Sequence, residues 1–244
     1  MQDICIFQRV EKKYLLTLDK KAELLSCILS HLVPDAHGKS TLCSVYLDTP
    51  DYLLIRNSID ADSYKEKLRM RSYGIPREDG QVFLEIKKKY KGVVYKRRIS
   101  TTLSRAEMYL QSGTPTEDSQ IMREIHYAME LYRRPTPKVL IACEREAYFA
   151  VNHPNLRITF DTAIRYRATG LSSADGLTGP AGADGRKILD DGYTLMEIKT
   201  DGAMPLWLSA ALGECKIYPA RFSKYATAYH DMMKKGELTY AGNL

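Results

Sequence analysis

Apolar and polar residues alternate at two periods along the chain, and the switches between them mark out the elements. Residues 10–18 read as a strand. Over 20–32, Leu24, Leu25, Ile28, Leu29 and Leu32 recur at helical spacing, which predicts an amphipathic helix with Asp19 as its cap. Pro34 and Gly38 are expected to close it. A strand over 41–47 and a short helical turn over 51–57 follow, then strands over 63–73, 81–90 and 93–101, with turns at Gly80 and Lys91-Gly92. Helices are predicted near 104–111 and 118–132, separated by a Gly-Thr-Pro break. Strands resume over 138–151, 156–161 and 163–169, with Asn152-His153-Pro154 as a turn, and a last one spans 193–200. Pro205 opens a helix over 205–213, and Ser223 caps one over 224–235. Between them, 170–186 carries glycine at every third position from Gly176 to Gly185, too few triplets for a collagen helix, so it reads as a flexible surface loop. Many antiparallel strands with helices at the ends make an α+β fold, an antiparallel β-barrel with flanking helices. No long linker divides the chain, so a single domain is expected over 1–244, with its core at about 6–230.

The polar positions inside the strands are unusual. Glu11 and Lys13 share one face of the first strand, as do Glu85, Lys87 and Lys89 in a later one and Glu197 and Lys199 in the last. Lys67, Arg69 and Arg71 are in phase, as are Lys96 and Arg98, and Arg157 with Asp161. Side chains alternate at period 2, so each set forms a row of charges about 7 Å apart on one side of its strand. A solvated sheet face usually mixes Thr, Ser and Gln with both signs of charge. Here three strands repeat a carboxylate two residues before a lysine, and others add basic pairs. Such a face, made concave, concentrates a positive field on a polyanion. Its few carboxylates suit a divalent cation that bridges phosphate oxygens.

Composition adjusts this picture only slightly. At 244 residues and 44% hydrophobic, the chain can bury a substantial core. The net charge of +6 is too modest to identify an anionic ligand by itself, so the placement of the charges decides. The five cysteines lie far apart with no CxxC pair, which predicts a reducing, cytoplasmic setting and no zinc site. No apolar signal stretch and no spanning segment is read, so a membrane association would run through a partner protein. Neither a P-loop nor a Rossmann glycine motif is present, the five histidines have no ligand spacing, and no Ser-His-Asp arrangement stands out.

The charged segments fall in an order that resembles the VTC domain, the polyphosphate polymerase branch of the triphosphate tunnel metalloenzymes in the CYTH-like superfamily. The matching pieces are Arg-Val-Glu-Lys-Lys-Tyr at 9–14, Val-Tyr-Leu-Asp-Thr at 45–49, Lys-Leu-Arg-Met-Arg-Ser-Tyr-Gly at 67–74, Leu-Glu-Ile-Lys at 84–87 and Tyr-Lys-Arg-Arg at 95–98. Glu-Arg-Glu-Ala-Tyr at 144–148, Leu-Arg-Ile-Thr-Phe-Asp at 156–161, Met-Glu-Ile-Lys at 196–199 and Phe-Ser-Lys-Tyr at 222–225 complete the series. The resemblance implies a barrel lumen that binds ATP and inorganic polyphosphate and transfers the γ-phosphoryl group to the chain end with Mn²⁺ or Mg²⁺. It assigns phosphate handling to Lys13, Arg69, Arg71, Lys87, Arg145 and Arg157, with Lys96, Arg98, Lys199 and Lys224 as further phosphate ligands. Glu197 is implied as the main metal carboxylate, with Glu11 and Glu85 as helpers. Tunnel hydrolases and cyclases carry two alternating glutamates before the first lysine; here the first position is Arg9, which favours the polymerase branch. A tunnel triphosphatase and a non-catalytic polyphosphate-binding module remain the alternatives. Nucleic acid is not the expected ligand, and the resemblance leaves the oligomeric state open.

Overall fold

The computed structural model describes residues 10–61, 63–91, 93–168 and 185–238. Most of the glycine-rich stretch expected as a loop, 170–184, lies outside the described residues. The element order is β1 (Val10–Thr17), α1 (Leu18–Ile28), β2 (Leu32–Asp48), α2 (Leu53–Asp60), β3 (Tyr64–Tyr73), β4 (Gln81–Tyr90) and β5 (Val93–Thr102). Next come α3 (Leu103–Ser112), α4 (Gln120–Leu131), β6 (Thr136–Ala150), β7 (His153–Ala168), β8 (Arg186–Lys187), β9 (Tyr193–Thr200), α5 (Leu206–Glu214) and α6 (Lys224–Lys234). None of the described helices is long and apolar enough to cross a membrane.

Among the described residues, nine strands form one antiparallel sheet in the order β1-β9-β7-β6-β2-β3-β4-β5, with β8 added beside β7. Among the described residues the hydrogen-bonded ladder stays open between β1 and β5, yet the sheet curls until its ends approach each other. The Lys87 ammonium of β4 donates to the Glu11 carboxylate of β1 at 3.0 Å. In a flat sheet those two strands would stand roughly 29 Å apart, six strand spacings. The curl creates a concave face and a convex one.

Alternation assigns the apolar residues of the convex face. Val45, Leu68, Met70, Leu84, Ile86 and Ile99 pack there beneath α3 and α4, while Ile158, Phe160, Met196 and Ile198 pack beneath α1 and α5. A third apolar cluster lies inside the curl, where Tyr225, Ala228, Tyr229 and Met232 of α6 meet Tyr46, Ile141, Ile164, Tyr166 and Leu195. Helix α6 therefore fills part of the lumen, and its N-terminus faces the rest. Asp48 fixes that helix. Fully buried, it accepts hydrogen bonds from the Leu54 and Ile55 amides at the start of α2 and from the Tyr225 hydroxyl at 2.8 Å.

Several element ends depart from the sequence expectation. Thr17, not Asp19, caps α1, because its hydroxyl reaches the Lys20 amide and leaves Asp19 in the first helical turn. The helix stops at Ile28, and Pro34 and Gly38 lie within β2 instead of in a helix-ending break. Pro34 is tolerated because the ladder with β6 shifts register between Pro34 and Lys39, where Gly38 takes a positive φ of 56°. The two strands expected over 156–169 are one strand, β7, whose partner register shifts opposite Ala163 at φ 47°.

Candidate functional site

The rows of charge converge on the concave face. On one wall, antiparallel register sets Glu11 opposite Lys199 and Lys13 opposite Glu197, and Asp161 of β7 opposite Arg145 of β6. Glu197 is the hub of this wall. Its carboxylate lies 3.0 Å from Lys199, 3.7 Å from Lys13, and 3.9 Å from both Arg145 and Lys224. Arg145 grips Asp161 in a bidentate pair at 2.6 and 2.7 Å, and Lys224 at the start of α6 also contacts Asp161. Asp161 is fully buried and Arg145 nearly so.

The opposite wall is built by β2 to β5. Arg69 donates to the buried Glu85 at 2.6 Å, Lys96 lies 2.6 Å from the other oxygen of Glu85, and Arg71 donates to Ser44 at 3.1 Å. Register places Lys67, Lys87 and Lys96 side by side across three strands. Lys87 joins the walls through Glu11. The chain segment before α6 also bridges the open seam. The Ala220 amide donates to the Lys13 carbonyl, the Lys13 ammonium donates to the Phe222 carbonyl at 3.0 Å, and Lys67 donates to Ser223 at 3.0 Å. Among the described residues, nine cations thus face four carboxylates in one chamber: Lys13, Lys67, Arg69, Arg71, Lys87, Lys96, Arg145, Lys199 and Lys224 against Glu11, Glu85, Asp161 and Glu197.

Crowding of like charge shows in the protonation equilibria. Burial works to raise the Glu11 carboxyl, but Lys87, Lys199 and Lys13 outweigh it and take the group down to about 2. Glu197, opposed by burial and favoured by Lys199, Lys224, Lys13 and Arg145, lies well below the usual carboxylate range. Lys67, Lys96 and Lys199 are shifted toward the neutral form. Burial takes Lys67 down to about 8, with Lys13, Lys87 and Arg69 acting in the same direction. Burial, with Arg69 and Arg71, outweighs Glu85 and takes Lys96 down to about 7. The buried Tyr46 phenol, whose oxygen lies 3.5 Å from Arg69, is drawn down to about 8: burial opposes the shift, and Arg69, Lys67 and Arg71 outweigh it. An anion entering the chamber would relieve these repulsions.

Of the residues singled out in the sequence, Lys13, Arg69, Arg71, Lys87, Lys96, Arg145, Lys199 and Lys224 lie in the chamber with Glu11, Glu85 and Glu197. Two lie apart from that network. Arg157, opposite Lys199 in register, turns to Asp35 at 2.7 Å and stacks over Phe149. Arg98 is exposed and stacks over the Phe83 ring at 4.8 Å. Asp161, Lys67 and Tyr46 carried no assignment, though Asp161 and Lys67 stand in phase with charged neighbours. The three carboxylates expected to share a metal do not meet. Glu85 is engaged on the far wall, and among the described residues no three His, Cys, Asp or Glu side chains gather closely enough to cage a cation. Glu11 and Glu197, which share Lys13 at 3.6 and 3.7 Å, offer two carboxylates. That number fits Mg²⁺ or Mn²⁺ when waters and substrate phosphates supply the remaining ligands.

A family model described as the VTC domain matches residues 8–233. No curated protein matches the chain in sequence. Among solved structures, a candidate adenylate cyclase of Vibrio parahaemolyticus aligns with a TM-score of 0.53 at 13% identity, over 91% of this chain and 98% of that one, and shows a shared fold. A protein of Pyrococcus horikoshii OT3 aligns at 0.46 and 12% identity, over 91% and 99% of the two chains. A candidate adenylate cyclase of Bacillus halodurans aligns at 0.44 and 11%, over 97% and 95%.

Proposed function

This chain belongs to the VTC domain family and has the triphosphate tunnel fold, and from that premise we propose that it is a polyphosphate polymerase, extending an inorganic polyphosphate chain with the γ-phosphoryl group of ATP. The observation that carries the reading is the excess of cations over carboxylates on the concave face, tiered across successive strands. Two phosphate chains brought end to end would repel each other in water. Cations on both walls neutralise them together and hold them in line, which is most of what phosphoryl transfer asks of a protein.

A terminal oxygen of the polyphosphate attacks the γ-phosphorus, the bond to the β–γ bridging oxygen breaks, and ADP leaves while the chain gains one unit. Arg145, Lys199, Lys13 and Lys224 on one wall, and Arg69, Arg71, Lys87 and Lys96 on the other, stabilise the charge spread over the transferring group. Arg157 and Arg98, whose side chains lie apart from that network, act on incoming or outgoing phosphates. Glu197, with Glu11, would hold the divalent metal, which would supply further neutralisation of the phosphate charge.

The test is an incubation of purified protein with ATP and Mn²⁺, read for acid-insoluble polyphosphate and for free orthophosphate in the same sample. Polymer with matching ADP is the expected result. Orthophosphate without polymer would reassign the chamber to triphosphate hydrolysis, and neither product from folded protein would overturn the enzymatic reading.

A further inference from the structure

The tiers of basic side chains continue past the chamber. Strand register sets Lys65 of β3 opposite Lys89 of β4, one step beyond Lys67 and Lys87 and next to the turn between β4 and β5. Alternation puts Lys65 and Lys89 on the concave face with Lys67, Arg69 and Lys87. Their neighbours on the convex face are satisfied in a different way: Tyr64 and Tyr132 donate to Glu66, and Lys88 pairs with the same carboxylate.

Within the chamber each nearby lysine has an oxygen partner. Lys87 takes Glu11, Lys96 takes Glu85, and Lys67 takes Ser223. At the rim these partners run out. Among the described residues, neither Lys65 nor Lys89 makes a side-chain hydrogen bond or an ion pair, and Lys89 is exposed. Like charges directly opposite on neighbouring strands repel, so this pair is disfavoured in the absence of an anion. The two ammonium groups continue the line of Arg69, Lys67 and Lys87 outward from the place where the phosphates react.

We propose that Lys65 and Lys89 form an exit track, a second subsite that binds the stretch of linear polyphosphate protruding from the chamber. The track rests on the reading of the chamber as a polyphosphate site and adds a length preference to it. ATP and tripolyphosphate, contained in the chamber, do not reach the track; a long chain does.

The double variant Lys65→Ala/Lys89→Ala, a charge-matched control Lys12→Ala/Lys234→Ala and the parent protein are each titrated calorimetrically with tripolyphosphate and with long-chain polyphosphate, over a series of salt concentrations. The parent should bind the long chain at least tenfold more tightly than tripolyphosphate. The track variant should lose about tenfold in affinity for the long chain and keep its affinity for tripolyphosphate within about twofold, and its log–log salt slope should fall by about 1 to 2. The control should match the parent. Equal weakening for both ligands, no weakening at all, or a control that behaves like the track variant would each overturn the track. A parent that binds tripolyphosphate with no preference for long chains overturns the track alone. A parent that binds neither ligand overturns the chamber reading, and the track with it.

Discussion

Replacing Asp161 with Asn tests how the chamber is held together. Asp161 is 0% exposed and receives both arms of Arg145, at 2.6 and 2.7 Å, together with Lys224. The substitution preserves shape and one acceptor but leaves the buried Arg145 and the partly buried Lys224 beside an uncharged amide, with Glu197 at 3.9 Å as their remaining counter-charge. Breaking a buried pair by removing one partner costs about 3–5 kcal/mol, and the surviving hydrogen bond places this case near 3 kcal/mol. With a urea slope of about 3 kcal/mol/M for a chain of this size, the unfolding midpoint should fall by about 1 M. The same geometry predicts a rescue. A polyanion that re-pairs Arg145 and Lys224 stabilises only the folded state, so tripolyphosphate at a hundred times its dissociation constant should restore about 2.7 kcal/mol. The assay is urea unfolding of parent and variant, each with and without the ligand. A loss below about 1 kcal/mol would equate the network with an exposed ion pair and refute the reasoning.

Further outcomes follow from the same contacts. Glu11 titrates at about 2 in the folded protein, below its unfolded value, so its stabilisation is fully present above about pH 4.5 and is lost as the pH falls toward 2; a urea midpoint flat between pH 5 and 3 would contradict this. Lys67 and Lys96, held at about 8 and about 7, are partly neutral at pH 8 and become charged when an anion binds. Polyphosphate binding at that pH should therefore take up protons, detectable as a binding enthalpy that varies with the ionisation enthalpy of the buffer. Glu197→Gln should leave polyphosphate binding within a few-fold and cut the metal-dependent rate about a hundredfold, measured as initial rate against Mn²⁺ concentration.

The charged rows were legible because a strand's period is 2, and a wrong register would have moved each row to the convex face. What the chain order does not display is which rows meet. Asp161 lies 16 residues from Arg145 and 63 from Lys224, and only the β6–β7 register and the insertion of α6 into the curl bring the three together. Arg157 is in phase with Asp161 but four residues nearer the start of β7, close enough to the rim for Asp35, 122 residues away, to take it. The N-terminal half of β2 was missed for a local reason: Pro34 and Gly38 break helices, but a bulged strand accommodates both. The Asp19 cap failed by two residues, because Thr17 offers a shorter oxygen at the position where the chain is still extended.

The net charge of +6 looked too small to signal a polyanion, and the chamber explains why. Among the described residues its nine cations exceed its four carboxylates by five, so an excess close to the whole formal charge of the chain is gathered in that chamber. Distributed over the surface, +6 would attract anions weakly and without direction. Gathered in a partly buried chamber it creates a focused field. The carboxylates make that concentration tolerable in the absence of ligand, since each sits among several cations whose repulsion it reduces. Glu85 holds Arg69 and Lys96, Glu197 holds Lys199, and Asp161 holds Arg145 and Lys224. A phosphate chain must compete with these pairs, so binding is an exchange of internal anions for external ones. Long chains, which can replace several partners at once, gain most from that exchange.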